Sequence, residues 1–220
     1  MSEKRFADRR AAGRALGERL AATLAGRDVV VLGLPRGGVV VAAEVAAALG
    51  VPLDVLVVRK LGLPWQPELA MGAIAAVGDT VETVRVESVL AVVDVDPAAF
   101  EEVRRRELEE LRRREAVYRA FRPPAALTGR PVGLVDDGLA TGATMRAAVL
   151  AVRRQSPLGI TVAVPVGSPR ACEALAADVD EVLCLLAPRS FRAVGQAYSD
   201  FEATTDAEVR SALHGGRRPV

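Results

Sequence analysis

The 220-residue sequence predicts an α/β fold, an open and mostly parallel sheet flanked by helices. Short apolar runs that suit strands buried on both faces alternate with helix-like segments along most of the chain. Hydrophobic residues make up 50% of the sequence, whereas aromatic residues make up only 4%. The core is therefore expected to consist mainly of closely stacked Ala, Val and Leu side chains.

The first half of the chain alternates helical and extended patterns. The predicted elements are a helix over residues 6–25, a strand over 29–34, an Ala/Val-rich helix that ends near Gly50 and a strand over 53–58. A Pro-Arg-Gly-Gly break separates the first strand from the helix after it. Residues 70–77 and 81–86 then flank a Gly-Asp-Thr turn, which indicates a hairpin.

The second half begins with a long charged helix, predicted over residues 97–121 because Asp96-Pro97 suits a helix start and glutamates precede arginines at helical spacing. A solvated helix face is favoured over nucleic-acid binding, since the acidic residues offset the arginines. The remaining predicted elements are strand 132–135, helix 144–155, strand 160–166, helix 169–177 and strand 182–186. Their alternation predicts a parallel sheet.

Composition excludes several classes of function. Lys plus Arg number 29 and Asp plus Glu number 28, so no overall field favours nucleic acid or an anionic membrane. No apolar run approaches the roughly twenty residues that cross a bilayer, and the charged N-terminus does not resemble a signal peptide, so a cytoplasmic location is expected. Cys172, Cys184 and His214 lack metal-ligand spacing; we expect the cysteines in the core and the histidine in a solvated tail.

Residues 132–144 carry the clearest chemical pattern. A buried strand leads through Asp136 and Asp137 into a loop of small residues and a helix start. Such a loop can bind a phosphate through its N–H groups, and carboxylates at the end of a parallel strand can accept hydrogen bonds from sugar hydroxyls. No Gly-Lys-Thr or Gly-Lys-Ser follows, which disfavours a nucleoside triphosphate loop. The alternative is an ordinary strand-turn-helix corner, in which capping explains one acid and not the second.

The same segment resembles the phosphoribosyl pyrophosphate signature of type I phosphoribosyltransferases. The resemblance implies that Asp136 and Asp137 hold the ribose hydroxyls. It assigns the 5′-phosphate to the loop that follows, formed by Gly138, Leu139, Ala140, Thr141, Gly142, Ala143 and Thr144. The 6-oxopurine members of the family place an acid three residues after the second Asp. Ala140 stands there in this chain, so the base cannot be inferred from the motif.

Two further segments are similar to family motifs. The loop of Pro35, Arg36, Gly37 and Gly38 resembles the pyrophosphate loop, in which Arg36 would be the cation for the diphosphate. The segment after the second strand resembles one in which a lysine approaches pyrophosphate, and this makes Lys60 a catalytic candidate. Taken alone, these segments would also suit a turn and a solvated basic strand end.

Residues 191–201 loosely resemble a C-terminal segment of the hypoxanthine-guanine enzymes. The resemblance places Phe191 and Val194 on the base side, where Phe191 would stack on a purine. It also lets Asp200 assist magnesium indirectly. Aromatic residues at this spacing equally suit the packing of a small hood over the sheet.

The length of the chain and the lack of a convincing linker predict a single domain over 1–220. The resemblance, which extends over about 29–201, makes this domain phosphoribosyltransferase-like, with a core over 28–190 and hood or packing segments over 1–27 and 188–214. The helix over 97–121 matches no family segment and is interpreted as an insertion.

The resemblance implies transfer of ribose 5-phosphate from phosphoribosyl pyrophosphate to a nucleobase or similar nitrogen acceptor, with release of pyrophosphate. Mg²⁺ as cofactor and a homodimer follow from the same resemblance, and no nucleic-acid or membrane partner is expected. The alternative is a regulator on the same fold that binds phosphoribosyl pyrophosphate or a nucleotide without catalysis.

Overall fold

A computed structural model describes residues 5–77, 80–119 and 123–215 of the chain. Its strands are β1 (Val30–Gly33), β2 (Leu53–Val55), β3 (Val58–Leu63), β4 (Gln66–Val77), β5 (Thr80–Arg85), β6 (Pro131–Val135), β7 (Gly159–Val166) and β8 (Glu181–Leu186). In this part of the chain a five-stranded parallel sheet has the order β2-β1-β6-β7-β8. A three-stranded antiparallel sheet has the order β3-β4-β5.

Helices cover both faces of the parallel sheet. They are α1 (Arg9–Leu24), α2 (Gly37–Leu49), α3 (Glu87–Leu90), α4 (Pro97–Arg119), α5 (Ala143–Arg153), α6 (Pro169–Ala176) and α7 (Asp206–Gly215), with a 3₁₀ turn over Val194–Ala197. Of these, α3 and α4 pack against the antiparallel sheet. The predicted α/β class with a mostly parallel sheet is therefore confirmed, as is the hairpin, now β4 and β5. None of the described helices is both long and apolar enough to cross a bilayer.

The first strand is buried on both faces, as its unbroken apolar run predicts. Val31 packs into a cluster with α1, α2, α4 and α7, whereas Val30 and Leu32 pack into a second cluster with α5 and α6. Cys172 and Cys184 are half-buried against the second cluster, which agrees with their expected place in the core. Successive side chains thus bind the sheet to its two helical layers.

Residues 53–58 do not form the single strand predicted for them. β2 ends at Val55, and the chain then passes from one sheet to the other: the Leu56 N–H donates to the Gly33 carbonyl over 3.1 Å, while the Val57 carbonyl accepts from Ala76 over 3.1 Å. β3 begins at Val58. The sequence does not reveal this passage between sheets, because residues 53–57 are all buried and residues 55–58 form one continuous apolar run across it.

Helix α4 confirms the predicted long helix as far as Arg119, and the last two predicted residues lie outside the described part. Most of its charges are solvated and pair along the helix, as Arg105 does with Glu102 and Glu109. Arg119 differs, because its side chain is only 10% exposed and binds Asp54, which is 9% exposed, over 2.7 Å. That ion pair fixes the end of α4 to the edge strand β2.

Helix α7 is not among the predicted elements, which include residues 188–214 only as a hood or packing segment and place His214 in a solvated tail. The Thr205 hydroxyl accepts from the Glu208 N–H over 3.2 Å, and the Glu208 carboxylate accepts from the Thr205 N–H over 2.7 Å. This reciprocal pair is a capping box, a readable helix signal. Val209 and Leu213 are buried in the first cluster. His214 therefore lies in the last turn of a helix, where it is exposed.

Candidate active site

The candidate site lies at the carboxyl ends of two interior strands of the parallel sheet, β1 and β6. These strands are neighbours, with Gly33 opposite Val135, and the Leu34 N–H donates to the Val135 carbonyl over 3.0 Å. The chain passes from β1 to β2 on one side and from β6 to β7 on the other. Such a reversal of strand order opens a crevice in which open α/β sheets bind ligands.

The two loops that leave these strands touch each other at the acids. A side chain at Gly38 would begin 2.6 Å from Asp136 Oδ1, and one at Gly37 would overlap the Asp137 carboxylate. Both glycines open helix α2, so only residues without a Cβ let the helix start approach the acids. The structure therefore brings the predicted diphosphate loop and the predicted ribose acids together.

Asp137 is held by side chains from both ends of the chain. Arg9 Nε, at the start of α1, donates to Asp137 Oδ2 over 2.8 Å. The Tyr198 hydroxyl donates to the Asp137 carbonyl oxygen over 2.6 Å. The Arg9 and Asp137 side chains are only 13% and 18% exposed, which makes the pair largely shielded from water.

Asp136 lies in an environment that opposes its charge. Burial, followed by the charge of Asp137, raises the pKa of Asp136 well above its ordinary value. The Asp137 N–H donates to Asp136 Oδ1 over 2.8 Å, and this hydrogen bond and the Arg9 charge lower the pKa by less. A group of hydroxyl donors or a cation beside the two acids would relieve this repulsion.

The predicted phosphate loop runs from Gly138 into the first turn of α5. Leu139 faces inward: its side chain is 2% exposed, and its N–H donates to the Val166 carbonyl over 2.8 Å. In the hydrogen bonds between described residues, the N–H groups of Ala140, Thr141 and Gly142 have no acceptor. Unsatisfied N–H groups at a helix N-terminus, together with the helix dipole, are suited to a phosphate.

The predicted cations lie in different surroundings. Arg36 is exposed at the position before α2, next to the glycines that contact the acids, and its side chain makes no cap to the helix. Lys60 is exposed on β3, opposite Ala73 of β4, in the antiparallel sheet. Its neighbour Arg59 is bound to Glu107 of α4 over 2.6 Å.

The two base-side candidates pack beside the acid loop. Val194 lies directly against Gly138, since the nearest Val194 atoms would clash with any Cβ there, and Phe191 packs against a small cluster that includes Tyr198. An apolar cavity of about 250 Å³ opens nearby, lined in part by Val166, Leu186, Pro188, Gln196 and Ala197. Its wall at Val166 adjoins the loop through the Leu139 hydrogen bond.

Asp200, the predicted indirect magnesium residue, is exposed. Its carboxylate accepts from the Glu202 N–H over 3.1 Å, and its own N–H donates to the Ala7 carbonyl over 2.9 Å. Within the described residues, no three His, Cys, Asp or Glu side chains cluster closely enough to enclose a metal ion.

The family model of the phosphoribosyl transferase domain matches this chain over residues 6–202. The chain belongs to the phosphoribosyl transferase family. Two Mycobacterium tuberculosis proteins, from strains CDC 1551 and H37Rv, carry the provisional name phosphoribosyl transferase and are each 49% identical to it over 215 residues. The match covers 98% of this chain and 48% of each relative, so the chain spans about half the length of the curated relatives it matches.

Two solved structures are similar to this family member in fold. The Thermus thermophilus protein TT1426 is 49% identical to this chain in sequence, and its crystal structure matches with a TM-score of 0.83. The match covers 95% of this chain and 97% of that one. A Staphylococcus aureus hypoxanthine phosphoribosyltransferase is 12% identical, with a TM-score of 0.50 over 87% of this chain and 80% of its own. The latter likeness shows the fold alone.

In this family member, the motifs did not point to several residues that shape the site. Arg9 and Tyr198 bind Asp137, and the Arg9 guanidinium sits 3.9 Å above the Phe201 ring. Arg9 follows Asp8, whose side chain caps α1. That cap marks a helix start, but no local pattern connects it with an acid 128 residues further along the chain.

Proposed function

We propose that this chain is a phosphoribosyltransferase that transfers ribose 5-phosphate from phosphoribosyl pyrophosphate to a nucleobase or similar nitrogen acceptor. The observation that carries the proposal is the contact of Asp136 and Asp137 with the glycines that open α2, at the point where the strand order reverses. A helix N-terminus with unsatisfied N–H groups lies beside the same acids. Ribose, diphosphate and 5′-phosphate would each have a matching group within one crevice.

The proposed roles follow the geometry of the crevice. Asp136 and Asp137 accept hydrogen bonds from the ribose hydroxyls, and the N–H groups of residues 140–144 bind the 5′-phosphate. Arg36 stabilises the departing diphosphate, and Lys60 is a second candidate for that role. The anomeric C–O bond to diphosphate breaks, a C–N bond to the acceptor forms, and the acceptor nitrogen releases its proton. Positioning and charge stabilisation supply most of the rate.

Magnesium is the proposed cofactor, and the acids present are compatible with it. Mg²⁺ keeps several of its waters and is held mainly by substrate phosphates with one or two carboxylates, so an enclosed protein site is not required. Asp200, exposed and with a hard oxygen donor, would reach the ion through water. When bound, the ion offsets the negative charge of the diphosphate.

The acceptor would enter on the side of the apolar cavity between Val166 and Ala197. Its lining gives a planar ring an apolar surface, with Phe191 and Val194 packed alongside. Ala140 is exposed at the position where the 6-oxopurine members carry an acid, so the chain brings no carboxylate to the base from there. A homodimer and a cytoplasmic location remain part of the proposal.

Release of pyrophosphate from magnesium phosphoribosyl pyrophosphate, measured across a panel of free purines and pyrimidines, tests the proposed function. We expect release with at least one acceptor. We also expect Asp137→Asn to weaken phosphoribosyl pyrophosphate binding by about ten-fold or more, because a charged acceptor contributes about 1.5–3 kcal/mol. Asp94→Asn, a change at an exposed acid before α4, is the control. Binding without release on any acceptor would favour the regulator instead.

A further inference from the structure

We infer that Arg9 is a positioning residue of the active site, which fixes the Asp137 carboxylate and balances its charge so that this acid can accept hydrogen bonds from ribose. The inference rests on the proposed function. Arg9 is the first residue of α1, directly after the capping residue Asp8, whose carboxylate accepts from the Ala11 N–H over 2.7 Å. The capped start of α1 therefore fixes the backbone position from which the Arg9 side chain extends.

The contact between Arg9 and Asp137 is short and shielded. Arg9 Nε lies 2.8 Å from Asp137 Oδ2, and neither side chain is more than 18% exposed. Hydrogen bonds between ionised groups are stronger than neutral ones, and little water screens them at this degree of burial. Arg9 is also the positive charge that acts on the crowded pair of acids, since it lowers the pKa that burial and Asp137 raise at Asp136.

Arg9 is itself fixed from the other side. Its guanidinium stacks 3.9 Å above the Phe201 ring, and its Nη1 donates to the Glu202 carbonyl over 2.7 Å. Phe201 stacks in turn on Tyr198, with 4.9 Å between ring centroids, and the Tyr198 hydroxyl donates to the Asp137 carbonyl. One connected set of side chains thus holds both the main chain and the carboxylate of Asp137.

This arrangement leaves part of the carboxylate available. Arg9 engages Oδ2, and among the described residues no donor reaches Asp137 Oδ1. A carboxylate has roughly four lone-pair positions, so a ribose hydroxyl can be bound without displacing the arginine. Arg9 Nε also lies 2.6 Å from the point where a Gly37 side chain would begin. Arg9 therefore sits where the diphosphate loop and the acids meet, with two of its nitrogen atoms already donating to protein.

Calorimetric binding of magnesium phosphoribosyl pyrophosphate to the full chain at pH 7.5 tests the inference. The variants are Arg9→Gln, Arg9→Lys, Asp137→Asn and the Arg9→Gln/Asp137→Asn double variant. The matched control is Arg10→Gln on the same helix, because the Arg10 side chain is 55% exposed and pairs with Glu44 instead. Thermal unfolding of each variant identifies any loss of folding.

We expect Arg9→Gln to weaken binding by about ten-fold or more, and Arg10→Gln to change it by less than about two-fold. Arg9→Lys should recover part of the affinity, since it keeps the charge without the planar group that stacks on Phe201. In the Asp137→Asn background, Arg9→Gln should cause little further loss, because the group it positions is already altered. A role in folding alone would predict neither the partial recovery nor this coupling.

Three results would overturn the inference. Wild-type affinity in Arg9→Gln would show that Arg9 is not needed, and an undiminished loss in the Asp137→Asn background would show that it acts independently of that acid. If Arg9→Gln does not fold, wild-type affinity in Arg9→Lys would count against it in the same way. If the wild-type chain itself does not bind the ligand, the proposed function fails and the inference with it, an outcome that the first titration distinguishes.

Discussion

At the scale of single residues, the acid pair combines its proposed binding role with a cost in stability. Asp136 is half-buried beside Asp137, and desolvation and the neighbouring charge make the folded chain bind a proton at Asp136 more tightly than the unfolded chain does. Gly37 and Gly38, the first residues of α2, lie so close to the carboxylates of Asp137 and Asp136 that no residue with a Cβ would fit there. A site that crowds two carboxylates in this way is expected to be less stable than the same fold without the charge.

The Asp136→Asn variant should therefore be more stable than wild type at neutral pH. Because the pKa of Asp136 is raised on folding, its contribution to the free energy of unfolding falls as pH rises from the ordinary aspartate value through the raised one. Asparagine can keep the hydrogen bond from the Asp137 N–H without the charge. Denaturant unfolding between pH 5 and pH 8 measures the effect, with Asp94→Asn as control. A stability difference that does not grow with pH would contradict the expectation.

At the scale of elements, the packing of α1 on α2 determines the positions of Arg9 and Gly37, the residues at the N-terminal ends of these helices. Gly13 and Gly17 of α1 face α2 so closely that a Cβ would lie 2.6 Å from the Val41 carbonyl oxygen and 2.7 Å from Ala48 Cβ. The two helices are held together over their length, and their N-terminal ends carry Arg9 and Gly37. The close approach of α1 and α2 therefore brings Arg9 to the acid pair.

A second element-scale contact joins α4 to the sheet through Arg119 and Asp54. Arg119→Met should lower the free energy of unfolding by about 3 kcal/mol, because the Asp54 carboxylate would remain buried without its cation. Arg105→Met on the same helix is the control, since that side chain is 61% exposed and its solvated ion pairs should contribute far less. Chemical denaturation at pH 7 compares them. Equal losses would mean that the Asp54 pair is no stronger than a surface pair.

At the scale of the whole molecule, ligand binding should stabilise the fold, since the proposed site joins residues 9, 36 and 137, which are far apart in the chain. At a ligand concentration about 100 times Kd, the expected gain is about 2.7 kcal/mol, or roughly 5–10 °C in Tm for a chain of this size. Thermal unfolding with phosphoribosyl pyrophosphate and Mg²⁺ measures it. Chelation of Mg²⁺ with EDTA should remove most of the shift; an equal shift with EDTA would contradict the proposed role of the metal.

The charge of these 220 residues is nearly balanced, with 29 Lys and Arg against 28 Asp and Glu, so their net charge provides no general attraction for polyanions. The proposed anion site is local instead: it consists of the N–H groups of residues 140–142 together with Arg36, beside the carboxyl ends of β1 and β6. This agrees with the solvated pairing of most charges on α4, where glutamates take up the arginines.

Local patterns in the sequence were enough to predict the class of fold and to single out Asp136 and Asp137 as candidate site residues. Strands buried on both faces leave continuous apolar runs, and a strand, two acids and a small-residue loop are contiguous, so residues 132–144 could be interpreted without coordinates. The capping box of Thr205 and Glu208 was equally local and could have predicted α7.

Tertiary structure alone decided the features that depend on distant parts of the chain. The division of residues 53–63 between two sheets depends on which neighbouring strands, β1 or β4, accept their hydrogen bonds. The contact between Arg9 and Asp137 joins residues 128 positions apart and arises from the packing of α1 on α2. Periodicity and motif spacing describe neighbours along the chain, whereas these contacts are set by how the layers pack, and so no local pattern contains them.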